Sequence, residues 1–356
     1  CGTLVVEPTG VVVGGSVSLE GLWVNVSGSE SVGNRAELNV TGTAVVIHST
    51  GVVAGGSVTV IGNAITVWGH VSSDGLGYGD LSAISSMVDG GPGVGMSSAG
   101  GGGHGGRGGS HSTATASGGA AYGDLVAPRT WGSAGMSVNT GAGAGGGRVW
   151  IQGAAVAIPG GVVSASGSPS THYQAGGGAG GSVWVRAVTL GATDDAWIRA
   201  DGGDAVSHAS HASGGGGSGG RVCVESFNGL PWRGSMSAGG GVRRVGSTVY
   251  GDYTAAVGAS GTAAVAIREH SGWDAEPKDL VVTIAAAPSG ASPHCTSLCD
   301  DHNAIVVQSL RIEGDVTFCD FVLARHIDSV GGGATARLES SVVMLDDALV
   351  SATVTV

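Results

Sequence analysis

Adjacent carboxylates are the first groups in this chain that could do chemistry. Asp194-Asp195, Asp300-Asp301 and Asp346-Asp347 each set two acids side by side. Glycosidic bond cleavage needs two carboxyl groups about 6.5–9.5 Å apart for inversion, or about 5–5.5 Å for retention. Neighbouring residues on a strand face opposite ways, so these pairs do not converge on one bond. Histidine is the next candidate: His208-x2-His211 sits in a Gly/Ser loop, and His104 and His111 sit in a Gly-rich stretch. None is joined by a carboxylate at metal-ligand spacing, so they read as loop histidines and no metal or other cofactor is expected. The five cysteines are Cys1, Cys223, Cys295, Cys299 and Cys319. Cys295-x3-Cys299 with Cys319 beyond it can include one local disulfide, in keeping with an oxidising compartment. A zinc site using these thiols with His294 or His302 lacks the paired C-x2-C knuckles. The odd count leaves one thiol free or paired with another chain. Gly202-Gly203-Asp204 is an isolated fragment of the calcium-binding nonapeptide, not a tandem array. The glycine runs also lack the strand–loop–helix setting of a dinucleotide site.

The elements that must carry these residues are β-strands. Of 356 residues, 71 are Gly, 12% are charged and 42% are apolar. So much glycine excludes long helices, the nine scattered prolines exclude collagen, and the apolar fraction disfavours charged disorder. The net charge of −12 and the lack of a basic run argue against nucleic acid as a partner. No apolar stretch approaches the roughly 20 residues of a membrane-spanning helix. The opening at Cys1-Gly2, and the close inside an alternating apolar run, suggest a processed segment or a piece of something longer.

A repeat supplies the architecture. Gly-Gly-(Ser/Arg)-Val-x-(Leu/Val/Ile) occurs at Gly14–Leu19, Gly55–Val60, Gly146–Ile151, Gly180–Val185 and Gly219–Val224. A second motif follows at a similar offset: Val71–Gly75, Val163–Gly167, Ile198–Gly202 and Met236–Gly240. Alternation puts Val17/Leu19, Val58/Val60, Val149/Ile151, Val183/Val185 and Val222/Val224 on one face. One unit cannot bury that face alone, whereas equivalent strands stacked in parallel bury a continuous core. The expected fold is all-β, a parallel β-solenoid (β-helix) with long Gly-rich loops, glycine supplying positive φ and close approach at its corners. Residues 1–275 form this Gly-rich solenoid, with an insertion at about 75–145 that makes either extra rungs or polyproline II-like strands packed side by side. Residues 276–356, richer in Val, Leu and Asp and holding three Cys, are its continuation or a separate C-terminal β domain. The outward x positions make an external ladder, Ser18, Thr59, Trp150, Trp184 and Cys223. Trp150 over Trp184 is a favourable aromatic pair, and such a row also suits sugar stacking. Two N-glycosylation sequons, Asn25-Val26-Ser27 and Asn39-Val40-Thr41, place their asparagines away from the core.

The run from Asp74-Gly75-Leu76-Gly77-Tyr78-Gly79, through Gly103-His104-Gly105-Gly106-Arg107-Gly108-Gly109 and Tyr122-Gly123, to the units ending at Val224 resembles the glycine-rich repeat region of very large secreted or surface proteins of algae, other protists and plants. The resemblance covers about residues 70–240 and brings no established activity. It implies a piece of a large extracellular protein, of the fibrous-appendage kind such as a flagellar hair (mastigoneme).

Together these features point to a structural subunit or segment of an extracellular, glycosylated filament or surface appendage, with itself as partner and attached glycans. The alternatives are a carbohydrate-binding adhesin and a polysaccharide-active β-helix enzyme. For the enzyme, Gly103-His104-Gly105 is similar to a galacturonase tripeptide, but the companion Asn-Thr-Asp and Arg-x-Lys elements are missing. A structural role, not an enzyme, is the expectation.

Overall fold

The computed structural model describes residues 36–79, 90–96, 99–111, 118–125, 127–137, 141–206, 214–227, 232–242, 258 and 261 in full, and elsewhere the backbone of strands alone. Every regular element among the described residues is a strand. A twelve-stranded sheet contains, in spatial order, β1 (Thr3–Val6), β3 (Val17–Val26), β5 (Glu37–Ile47), β7 (Ser57–Val67), β9 (Arg148–Ile158), β11 (Ser182–Ala192), β14 (Arg221–Ser226), β18 (Thr262–Ile267), β19 (Asp279–Thr283), β20 (Ile305–Glu313), β22 (Val322–Ser329) and β24 (Val343–Leu345). A seven-stranded sheet contains β2 (Val11–Val12), β4 (Ser29–Ser31), β6 (Val52–Ala54), β8 (His70–Ser72), β10 (Val162–Ser164), β12 (Trp197–Arg199) and β15 (Ser235–Ser237), in chain order. Two small sheets are built from β13 (Ala205–Val206), β16 (Arg243–Val245) and β17 (Thr248–Val249), and from β21 (Val316–Phe318), β23 (Thr335–Leu338) and β25 (Thr353–Thr355). The second sheet is parallel throughout, and the first is parallel except between β18 and β19. Backbone pairing thus carries the chain beyond residue 276 into the first sheet, across that antiparallel joint.

Each unit gives one long strand to the first sheet and one short strand to the second. Val149, Val183 and Val222 are register partners on neighbouring strands and are fully buried. Val53, Val71, Val163 and Ile198 of the second sheet meet them in one hydrophobic core. β5, β7 and β9 share one glycine column: Gly42, Gly62 and Gly153 are register partners, and in β5 the inward set changes phase there, from Leu38 and Val40 to Val45 and Ile47. A Cβ on Gly62 would stand 2.7 Å from the Gly42 carbonyl oxygen, so glycine gives the close approach there, while β11 fits the buried Ala187 into the same column beside Gly153.

The sequence repeat skipped one unit. Val17 pairs with Leu38 and Leu38 with Val58, so β5 lies between two motif copies that are 41 residues apart. It escaped the pattern because Arg35-Ala36-Glu37 replaces Gly-Gly-Ser.

The insertion and the Gly-rich returns build a third layer without strands. Successive N–H groups of residues 176–181 donate to Met136, Gly215, Ser168, Ser133, Ser218 and Ala165 carbonyls at 2.6–3.0 Å. Residues three apart therefore reach the same neighbouring segment, the three-residue period of polyproline II. Only six described glycines have positive φ: Gly75, Gly79, Gly91, Gly123, Gly141 and Gly160. Gly75 after β8 and Gly160 between β9 and β10 do serve as corners of the expected kind. Inside the runs the value of glycine is a missing Cβ that lets backbones touch, the reason glycine lines the collagen axis.

Candidate functional site

Several side chains with chemical potential are engaged in joining neighbouring units. Asp74 accepts hydrogen bonds from the Ser164 hydroxyl and the Ser166 N–H of the next unit. Asp201 repeats the geometry one unit pair later, accepting from the Ser237 hydroxyl and, at 2.7 Å, the Gly239 N–H. Asp204 takes the Val242 N–H at 2.8 Å. In the two copies that carry an Asp, Asp74 and Asp201, the second sequence motif is therefore a carboxylate clamp on the following unit. Hydrogen bonds to a charged acceptor contribute about 1.5–3 kcal/mol each before solvent screening. Asp201→Ala is expected to release the backbone at residues 237–239, read as faster amide exchange there, with Asp201→Asn intermediate. Unchanged protection at Gly239 would show that the clamp carries no load.

On the outer face of the first sheet, Arg186 and Glu225 are register partners on β11 and β14, joined at 2.8 Å and both buried. Removing one member of such a pair costs about 3–5 kcal/mol, because the other charge is left uncompensated. Arg221 is fully buried and donates through Nε and Nη2 to the Tyr122 carbonyl at 3.2 and 3.0 Å, tying the insertion to β14.

His104 ties the insertion down a second time. Its ring is wholly buried, with Nδ1 2.7 Å from the Gly180 carbonyl and Nε2 2.7 Å from the Thr130 hydroxyl. A carbonyl only accepts, so Nδ1 carries the proton and Nε2 receives the Thr130 O–H. Burial first, and the Arg221 charge second, lower its pKa from 6.5 to about 3, against the opposing pull of the Gly180 and Gly181 backbone. His104 is thus a neutral strut. His111 is also buried, while His208 and His211 lie outside the described residues.

The ladder of x positions is continuous: Ser18, Asn39, Thr59, Trp150, Trp184 and Cys223 are successive register partners. Trp150 and Trp184 stack with centroids 5.7 Å apart and planes at 17°. The word external needs correction at one end. Asn39, Thr59 and Trp150 are half-buried, but Trp184 is 2% exposed and Cys223 fully buried. Part of the cover over the tryptophans comes from the insertion: the Arg129 guanidinium lies 5.2 Å from the Trp150 ring and 4.7 Å from Trp184. Arg186 lies 4.5 Å from the Trp184 ring.

The remaining sequence candidates are dispersed. Asp194 and Asp195 are exposed on the turn between β11 and β12, where Thr193 donates to Asp195 at 2.5 Å. Asn39 is half-buried beside Thr59, and Asn25 has Val5 and Val46 as register partners. Cys295, Cys299 and Cys319 lie outside the described residues. Among the described residues no three His, Cys, Asp or Glu side chains converge as a metal site, and no helix is long and apolar enough to cross a membrane. Sequence reasoning missed the Arg186–Glu225 pair, Arg129 and the Asp clamps. Two of these left a signal, because Arg186 and Glu225 hold equivalent repeat positions with opposite charge, and Asp74 and Asp201 hold equivalent places in the second motif. No protein-family model, curated protein or solved structure matches the chain.

Proposed function

We propose that this chain is a β-solenoid acting as a structural subunit or segment of an extracellular, glycosylated filament or surface appendage. One observation carries the reading: polar side chains are spent on bonds between successive units, as in Asp74–Ser164, Asp201–Ser237 and Arg186–Glu225, and on tying the insertion to them, as in His104–Gly180. A molecule so built transmits load along its stacking direction, because backbone ladders join successive units and charged clamps reinforce several of the steps. Parallel stacking has unlike ends, and contact between unlike ends is heterologous, which extends without closing. The glycan sites of this reading are Asn25 and Asn39, and the reading includes the likeness to glycine-rich surface proteins.

Electron microscopy of the purified chain over a range of concentrations tests the assembly. Elongated particles that join end to end are expected, with a length increasing in steps of one subunit. Discrete, monodisperse particles at every concentration would remove the filament reading.

A further inference from the structure

The half-buried end of the ladder has unmet chemistry that stacking does not explain. Arg129 is exposed and lies over both indoles, yet no carboxylate is within ion-pair distance of it among the described residues. This is notable in a chain with 27 acidic and 15 basic residues. The nearby carboxylates are committed elsewhere, Glu37 to Arg148 at 3.3 Å and Glu225 to Arg186 at 2.8 Å. Of the two guanidiniums over the tryptophan pair, Arg186 is neutralised by Glu225, which leaves a local positive charge on Arg129. Beneath it, the Trp150 and Trp184 indole N–H groups have no acceptor, and the Gln152 side-chain carbonyl has no donor. Trp150 and Gln152 are two residues apart on β9, both partly exposed and between the buried Val149, Ile151 and Gly153, so they share the outer face.

We propose that this face binds an anionic saccharide, its ring on the Trp150 indole and its carboxylate or sulfate on Arg129. The ligand class follows from the orphan groups. A hydroxyl both donates and accepts, so one sugar satisfies an unpaired indole N–H and an unpaired amide carbonyl. Its C–H face matches an aromatic surface, and its acid matches a guanidinium that presents a planar fork of donors. The orphan atoms are shielded from water, and the exposed Arg129 side chain is the cover that an anion would draw outward. The inference does not depend on filament assembly.

The test is a titration followed by tryptophan fluorescence, with oligogalacturonate, dextran sulfate oligomers and uncharged dextran as probes. Binding of one or both anionic probes is expected, weakening as salt rises, with no response to dextran; the arm that responds identifies carboxylate or sulfate as the recognised acid. Arg129→Ala should weaken that binding at least tenfold and Gln152→Leu several-fold, with the far-UV spectrum of each variant unchanged. Arg129 is exposed and Gln152 partly so, hence neither change disturbs the core. No response to either anionic probe at millimolar concentration, equal binding of dextran, or unaltered affinity in both variants would overturn the site.

Discussion

Gly178→Ala is expected to leave little folded protein, whereas Gly191→Ala leaves stability within about 0.5 kcal/mol of the parent. Both substitutions add one methyl group and both restrict the unfolded chain by the same amount, so the unfolded-state contribution cancels between them. What differs is the native neighbourhood. A Cβ on Gly178 would overlap the Ala144 carbonyl oxygen and crowd the Gly143 carbonyl at 2.9 Å, and both are backbone atoms held by their own hydrogen bonds. A Cβ on Gly191 meets nothing within 4 Å. Overpacking by one methyl group costs about 1–3 kcal/mol where side chains can shift, and more where backbone must move. The difference between the two variants should therefore exceed about 3 kcal/mol by thermal or chemical denaturation. Equal stabilities would mean that the third layer is not close-packed.

The contrast also explains which parts of the fold were legible in the sequence. Val-x-Val alternation is a local signal, and it located the inward faces of β7, β9, β11 and β14 because a two-residue period maps directly onto burial. The Gly-Gly-Ser/Arg lead-in is legible for a related reason: Gly146, Gly147, Gly180 and Gly181 sit where the glycine layer feeds into a strand, and a Cβ at any of them would strike a neighbouring carbonyl. β5 had no such lead-in and was not recognised as a repeat unit, although the alternation of Leu38 and Val40 with Glu37 and Asn39 already pointed Asn39 outward. Glycine runs are ambiguous by themselves, since positive φ, disorder and close contact all select the same residue. Hydrogen bonds between segments far apart in sequence decide among these, and sequence spacing does not encode them. The same limit hid the ladder's cover. That Trp184 and Cys223 point outward follows from alternation, but that Arg129 reaches Trp184 from an insertion is a tertiary fact.

Acid should reveal how the insertion is anchored. In the unfolded chain His104 takes up a proton near pH 6.5, whereas in the folded chain it does so only near pH 3. Between these values the unfolded state binds more protons, so stability rises with pH across the window. The sign is that of a buried neutral histidine: its contribution is complete above pH 6.5, declines as pH falls through the window, and is exhausted below about pH 3. The slope approaches about 1.4 kcal/mol per pH unit in the middle of the window. His104→Leu abolishes this titration but strands the Gly180 carbonyl, and leaves the Thr130 hydroxyl without its acceptor. The variant is therefore expected to be weaker than the parent at pH 7, by about 1–3 kcal/mol for the stranded, buried Gly180 carbonyl. Other acids and histidines titrate in the same range, so the informative quantity is the parent-minus-variant difference in unfolding free energy at pH 7, 6, 5 and 4. That difference should shrink steadily on acidification and can change sign, making the variant the more stable protein at pH 4. A difference that stays constant from pH 6.5 to 4 would mean that His104 is hydrated in solution and that its stretch of the insertion is not locked against the glycine run at Gly180.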